Sequence, residues 1–216
     1  LRTIELSDKS VNLHHELKAS TQAIHEQLHT NPTMLPLLSP QCTLEQYKRV
    51  LACFYTYYHW AESLQTEAEQ SKFSLEANVC EWLQADISAM KMNNLQLQGF
   101  VAEMRAQCLD DSSLVPHSGF EQYLGFLYVK QGSLLGGQVI ASFLNKSLHL
   151  VPGQNLFLFS GYQKKSKAMW QQFLMYLEAC SDQVDRHVVI ESALGHFHVL
   201  KQILDTAYQK RNDYVF

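Results

Sequence analysis

Glycine and proline are scarce, 9 and 5 in 216 residues, which excludes collagen-like, linker-rich and low-complexity architectures. Cys-x-x-Cys pairs are absent, and the five cysteines, Cys42, Cys53, Cys80, Cys108 and Cys180, are odd in number and widely spaced. A disulfide framework or a zinc site is therefore not expected, and the thiols read as small apolar side chains in a reducing compartment. Positive charge is also short. The 17 Lys and Arg against 21 Asp and Glu leave a net charge of -4 with no basic run, so nucleic acid is not an expected partner. No apolar stretch reaches the roughly eighteen uncharged residues of a membrane span. The opening Leu1-Arg-Thr-Ile-Glu-Leu-Ser-Asp has no signal-peptide core. A cytoplasmic protein with no membrane contact is expected.

Strand alternation and internal repeats are missing too, and what is present is helical periodicity. From Val11 to Leu28, Leu13, Leu17, Thr21, Ile24 and Leu28 follow the three-and-four spacing of an amphipathic helix, which Thr30-Asn-Pro32 ends. Three prolines make Asn31 to Cys42 a connecting loop. Thr43 and Gln46 form a capping-box pattern that opens a helix through Ala61. Its stripe of Tyr47, Phe54, Tyr57 and Tyr58 reads as core, with only the edges able to line a pocket. Helical patterns recur over Leu75 to Ala89, Leu95 to Leu109, Gly119 to Leu148, Lys164 to Cys180 and Gln183 to Gln209. Breaks fall at Glu67 to Ser74, Lys91 to Asn94, Asp110 to Ser113 and Val151 to Gly153. The expectation is an all-α multihelical bundle of about seven or eight helices, one domain over residues 1–216.

The run from Leu127 to Leu144 concentrates Gly132, Gly136 and Gly137 in an apolar helix. Each glycine inside a helix costs about 1 kcal/mol relative to alanine, so the three cost roughly 3 kcal/mol before any compensating contact. Gly132 and Gly136 share a face at four-residue spacing. Bare backbone there admits either another helix, the commoner use of such a stripe, or a ligand.

Ten histidines raise a metal hypothesis that their spacing supports poorly. His25 and His29 could offer two ligands from one helix face, yet no His-Glu-x-x-His pattern accompanies them. A single helical histidine is more often a surface or hydrogen-bonded core residue. Lys18 and His25 lie seven apart, about 10 Å along a helix axis, so one ligand could touch both. Ser133 is not in a Gly-x-Ser-x-Gly elbow, and no phosphate loop or dinucleotide fingerprint is present.

Leu17-Lys-Ala-Ser-Thr-Gln-Ala-Ile-His25 together with Gly132-Ser-Leu-Leu-Gly-Gly-Gln-Val-Ile140 resembles the heme oxygenase family, in particular its bacterial branch. Between them, Cys80-Glu-Trp-Leu-Gln-Ala-Asp86-Ile looks like the family's Leu-x-x-Asp-Leu element, and Ala193-Leu-Gly-His-Phe197 is similar to its last long helix. The resemblance covers most of the chain, and the paired Lys/His and Gly-x-x-x-Gly-Gly motifs carry its specificity.

The resemblance implies heme held between the first helix and the glycine-bearing helix, as both cofactor and substrate. His25 would be the iron ligand. Gly132, Ser133, Gly136 and Gly137 would form the distal wall, with Gly132, Ser133 and Gly136 closest to the chemistry. Phe197 would border the heme, and Lys18, with Lys167 and Lys130 as weaker candidates, would meet its carboxylates. The implied reaction opens the ring with dioxygen to give biliverdin, carbon monoxide and ferrous iron. Its electrons would come from a ferredoxin or an NAD(P)H-dependent reductase. Two positions depart from the pattern. His29 stands where relatives commonly carry an acidic partner for the ligand, and Ser133 stands where the animal enzymes carry aspartate. The alternatives are a non-catalytic heme-binding or carrier protein on the same fold, and a thiaminase-like relative that binds no heme.

Overall fold

A computed structural model describes residues 12–64, 78–109 and 119–216. Among them are seven α-helices: α1 Leu13–His29, α2 Leu44–Ser63, α3 Val79–Ala89, α4 Asn94–Cys108, α5 Phe120–Leu148, α6 Ser166–Cys180 and α7 Arg186–Gln209. No named strand occurs among the described residues, and the all-α expectation holds. The breaks expected at Glu67 to Ser74 and Asp110 to Ser113 lie outside the described residues.

Local chemistry sets the helix ends. The Thr43 hydroxyl accepts from the Gln46 amide at 3.3 Å while the Gln46 side chain accepts from the Thr43 amide at 2.8 Å, so the capping box closes as its spacing predicts. Asn12, Asn78, Asn93 and Asp185 cap α1, α3, α4 and α7 with side-chain oxygens on first-turn amides. The Asp185 cap starts α7 at Arg186 rather than at Gln183. The region before α6 differs similarly: Gln163–Lys165 forms a 3-10 turn, and the α-helix proper begins at Ser166. The turn after α3 bends through Lys91, whose φ of 50° ends the helix there.

The core is assembled on α5 and α7, which share the most extensive helix-to-helix packing. Their backbones meet at Gly125, where an added Cβ would stand 2.6 Å from both the Ser192 Cβ and the Val189 carbonyl oxygen. Any side chain at that position would push the two helices apart. α1 and α2 also pack on α7, and α3 and α4 pack on α2. Leu17, Leu51, Tyr57, Phe126, Val189 and Ile203 are among the residues that fill the interior.

One buried carboxylate ties this bundle to its longest connection. Asp86 on α3 is fully buried and accepts from the Phe157 and Leu158 amides, each at 2.8 Å. The turn so held lays the Phe159 backbone on Gly137 of α5 and turns at Gly161, whose φ of +48° places it against the Leu134 carbonyl. Gln138 of α5 donates to the Ser160 carbonyl and to the Ser166 hydroxyl, joining the turn to the start of α6. Burial pushes the Asp86 carboxyl from 3.8 up to about 6, against the opposing pull of the two amides.

Asp86→Ala leaves two buried amides without an acceptor and is expected to cost about 2–4 kcal/mol in urea unfolding. The folded protein holds the Asp86 proton more tightly than the unfolded chain does. Stability from this group is thus complete below pH 3.8 and is lost as pH rises to about 6. The difference in unfolding free energy between wild type and Asp86→Asn should fall across that window and stay level above it. A flat difference throughout would contradict the assignment.

Candidate functional site

α1 turns Leu13, Leu17, Thr21 and Ile24 inward and leaves Lys18 and His25 exposed. His14, Thr21 and His25 fall within one narrow stripe of this helix, since steps of seven and eleven residues nearly close whole turns. On α5, Tyr128, Gly132 and Gly136 follow a four-residue row. The two rows meet at Tyr128: its ring lies 6.3 Å from that of His14, and its hydroxyl reaches the Thr21 side chain. The His25 stripe and the Gly132–Gly136 row therefore belong to the facing sides of α1 and α5.

The glycines of α5 divide by what surrounds them. An added Cβ at Gly136 would meet nothing within 4 Å, and its neighbour Val139 is 59% exposed, so an open apolar surface continues past it. At Gly132 the nearest atoms belong to the Trp170 indole, 3.9 and 4.0 Å away. Gly137 differs from the expectation of a distal wall. Its absent side chain makes room for the Phe159 backbone, 3.0 to 3.4 Å from where a Cβ would stand.

Ser133 points off this row. Its hydroxyl is 2.7 Å from the Tyr58 hydroxyl and donates to the Lys130 carbonyl at 2.8 Å, which links α2 to the middle of α5. Lys130 departs from its expected role as a carboxylate partner. It is buried, its ammonium is paired with Glu62 at 3.1 Å, and it lies 5.6 Å from the Phe126 ring. Lys167, in the first turn of α6, is exposed like Lys18, and both ammonium groups stand at the surface.

His25 sits edge-on to Phe197 of α7 at 6.0 Å between centroids and edge-on to His29 at 4.5 Å. Burial, aided by the neighbouring His29, lowers its pKa below 6.5 and favours the neutral imidazole that metals require. Burial also holds His14 neutral, with Lys18 and His15 adding to the effect. His196, next to Phe197, is a core residue. It is wholly buried among Tyr57, Trp60 and Phe126, its Nδ1 is 3.2 Å from the Tyr57 hydroxyl, and burial lowers its pKa to about 3. No group of three or more His, Cys, Asp or Glu suited to a metal occurs among the described residues.

Sequence reasoning missed His14, Tyr58, Tyr128 and Trp170. The row spacing of Tyr128 with Gly132 and of His14 with Lys18 was the available signal. Nothing in the sequence pairs Trp170 with Gly132.

Gly136→Ala is expected to raise the unfolding free energy of the unliganded protein by about 0.5–1 kcal/mol, because a methyl group enters open space and helix propensity improves. Gly137→Ala should lower it by about 1–3 kcal/mol through contact with the Phe159 backbone. Urea denaturation of both variants checks the pair, and a destabilised Gly136→Ala would mean that this face is packed.

The family model for heme oxygenase matches residues 11–206. Heme oxygenase 1 of Gallus gallus is 26% identical over an alignment spanning 93% of this chain and 71% of that protein. The solved heme oxygenase of Leptospira interrogans superposes with a TM-score of 0.66 at 16% identity, over 90% of this chain and 99% of that one. Heme oxygenase-1 of the cyanobacterium Synechocystis, solved in complex with heme, gives 0.61 at 16% identity, over 94% and 97%. With the family match running from the start of α1 almost to the end of α7, the chain belongs to the heme oxygenase family.

Proposed function

We propose that this protein is a heme oxygenase in activity as well as in family. It would cleave heme to biliverdin, carbon monoxide and ferrous iron, with electrons from a ferredoxin or an NAD(P)H-dependent reductase. The observation that carries this reading is the stripe ending in a neutral His25 on α1, set toward a row of α5 whose Gly136 opens onto unfilled space. A helix that spends glycine where no protein atom fills the gap implies a partner from outside the chain. A flat macrocycle with an iron centre suits an imidazole on one side and bare backbone on the other. Bound heme supplies the redox-active iron at which dioxygen is activated, and its own ring is what is oxidised.

The chain's contribution is position. His25 would hold the iron through one ring nitrogen, and its imidazole stands edge-on to Phe197. The His29 ring stands 4.5 Å from that of His25, where relatives of the family commonly carry an acidic partner for the ligand. A histidine at that position would accept a hydrogen bond from the ligand less strongly than a carboxylate, and would leave His25 a weaker electron donor to iron. Gly136, where an added Cβ would meet nothing within 4 Å, would let the macrocycle approach the main chain. Tyr58 holds the Ser133 hydroxyl at 2.7 Å while that hydroxyl donates to the Lys130 carbonyl, which braces α5 behind Gly132. Lys18 and Lys167 are exposed cations for the substrate's carboxylates.

The His29 substitution favours one second reading, a heme-binding protein whose weakened ligand does not support turnover. Hemin titration followed by ascorbate or a reductase system in air separates the two. The expected result is a Soret band in wild type that converts to a bilin band, with His25→Ala losing the ligand-dependent spectrum. A stable Soret band with no bilin would establish the carrier reading, and no binding would exclude both.

Ligation should also survive acidification below pH 6.5. His25 has a lowered pKa and must take up a proton to release iron, so the His-ligated spectrum is expected to fade only at a lower pH than free imidazole chemistry predicts. Loss of the spectrum already above pH 6.5 would contradict a ligand whose pKa its surroundings lower.

A further inference from the structure

Gly132 and Gly136 look equivalent in sequence and are not equivalent in space. The surface above Gly136 is empty, whereas that above Gly132 is covered by the six-membered ring of Trp170, with Cζ3 and Cη2 at 3.9 and 4.0 Å from an added Cβ. The indole is braced on three sides. It meets His14 of α1 edge-on at 5.7 Å, Tyr128 of α5 at 5.9 Å and Phe173 of its own helix at 5.6 Å. These contacts join α1, α5 and α6 at one point beside Gly132. The half-buried indole is large and rigid, with two side-chain torsions, so holding it there carries little entropy cost.

We propose that Trp170 is a positioning residue that fixes where, in its own plane, the heme lies. Resting on the heme oxygenase reading, it deepens that reading by naming what selects the orientation of the substrate. With the space over Gly132 filled, the macrocycle is confined to the open surface at Gly136 and abuts the indole at one edge. Heme presents four inequivalent bridging carbons, so an edge contact that stops sliding and rotation decides which of them faces the distal backbone. Trp170 takes no part in bond making. Its effect is transmitted through the position of the ring.

The test compares wild type, Trp170→Ala and Trp170→Leu, each loaded with hemin. Leucine keeps an apolar stem against Phe173 but leaves Gly132 uncovered, so it serves if the alanine variant does not fold. Two readouts are taken: the hyperfine-shifted heme methyl resonances of the ferric cyanide complex in proton NMR, and the isomer composition of the ring-opened product by chromatography. Either folded variant is expected to show a second set of methyl resonances amounting to about a quarter or more of the total, with a matching fraction of a different bilin isomer. Folded variants with wild-type methyl shifts and isomer composition would overturn the role of Trp170 while leaving the heme oxygenase reading intact. Wild type that binds no hemin would overturn that reading and this proposal together.

Discussion

A single fully buried carboxylate holds the connection on which the middle of α5 rests. Asp86 accepts two backbone amides from a segment that belongs to no helix, and such amides would otherwise be stranded in the interior. Because the carboxylate is anchored in α3, the turn at Phe157–Leu158 cannot drift. The Phe159 backbone then lies on Gly137, and Gly161 lies against Leu134. α5 is thereby gripped from behind at the level of its glycines. Burying a carboxylate is costly, as the upward shift of its pKa records, and the two amide hydrogen bonds are what make that burial tolerable.

The glycines of α5 then serve three ends along one helix. Gly125 brings two helix backbones together, Gly137 admits a loop backbone, and Gly136 admits nothing that the chain itself supplies. The first two are repaid in packing. Gly136 retains its helix-propensity cost in the unliganded fold, and this asymmetry sets it apart from a seam between helices. Gly132 lies between these cases, because an aromatic ring of α6 stands over it at ordinary contact distance.

Charge follows the same division. Lys130, beneath the glycine row, is neutralised by Glu62, and the Ser133 hydroxyl is held by Tyr58, so the rear of α5 is a closed polar network. At the front, partial desolvation lowers the pKa of both His14 and His25, and the cations Lys18 and Lys167 stay at the surface. An apolar macrocycle with carboxylates at one edge matches that distribution, its ring against neutral groups and its acids near solvent.

What the sequence determined by itself is local. Helical periodicity, the Thr43–Gln46 box and the proline-rich stretch after α1 act over a few residues, so they set the elements and nearly all their ends. The exceptions are Leu75, Lys164 and Gln183, where a cap at Asn78, a 3-10 turn and a cap at Asp185 move the start of the helix. The Lys18–His25 stripe and the glycine row were equally legible, because helix geometry alone puts each set on one face. Tertiary structure decided what each face meets. A missing side chain reads the same in a sequence whether a helix, a loop, an indole or open space lies beyond it. The assignment of Gly137 to Phe159, of Lys130 to Glu62 and of Trp170 to Gly132 therefore depended on residues 22, 68 and 38 positions away, brought together only by packing.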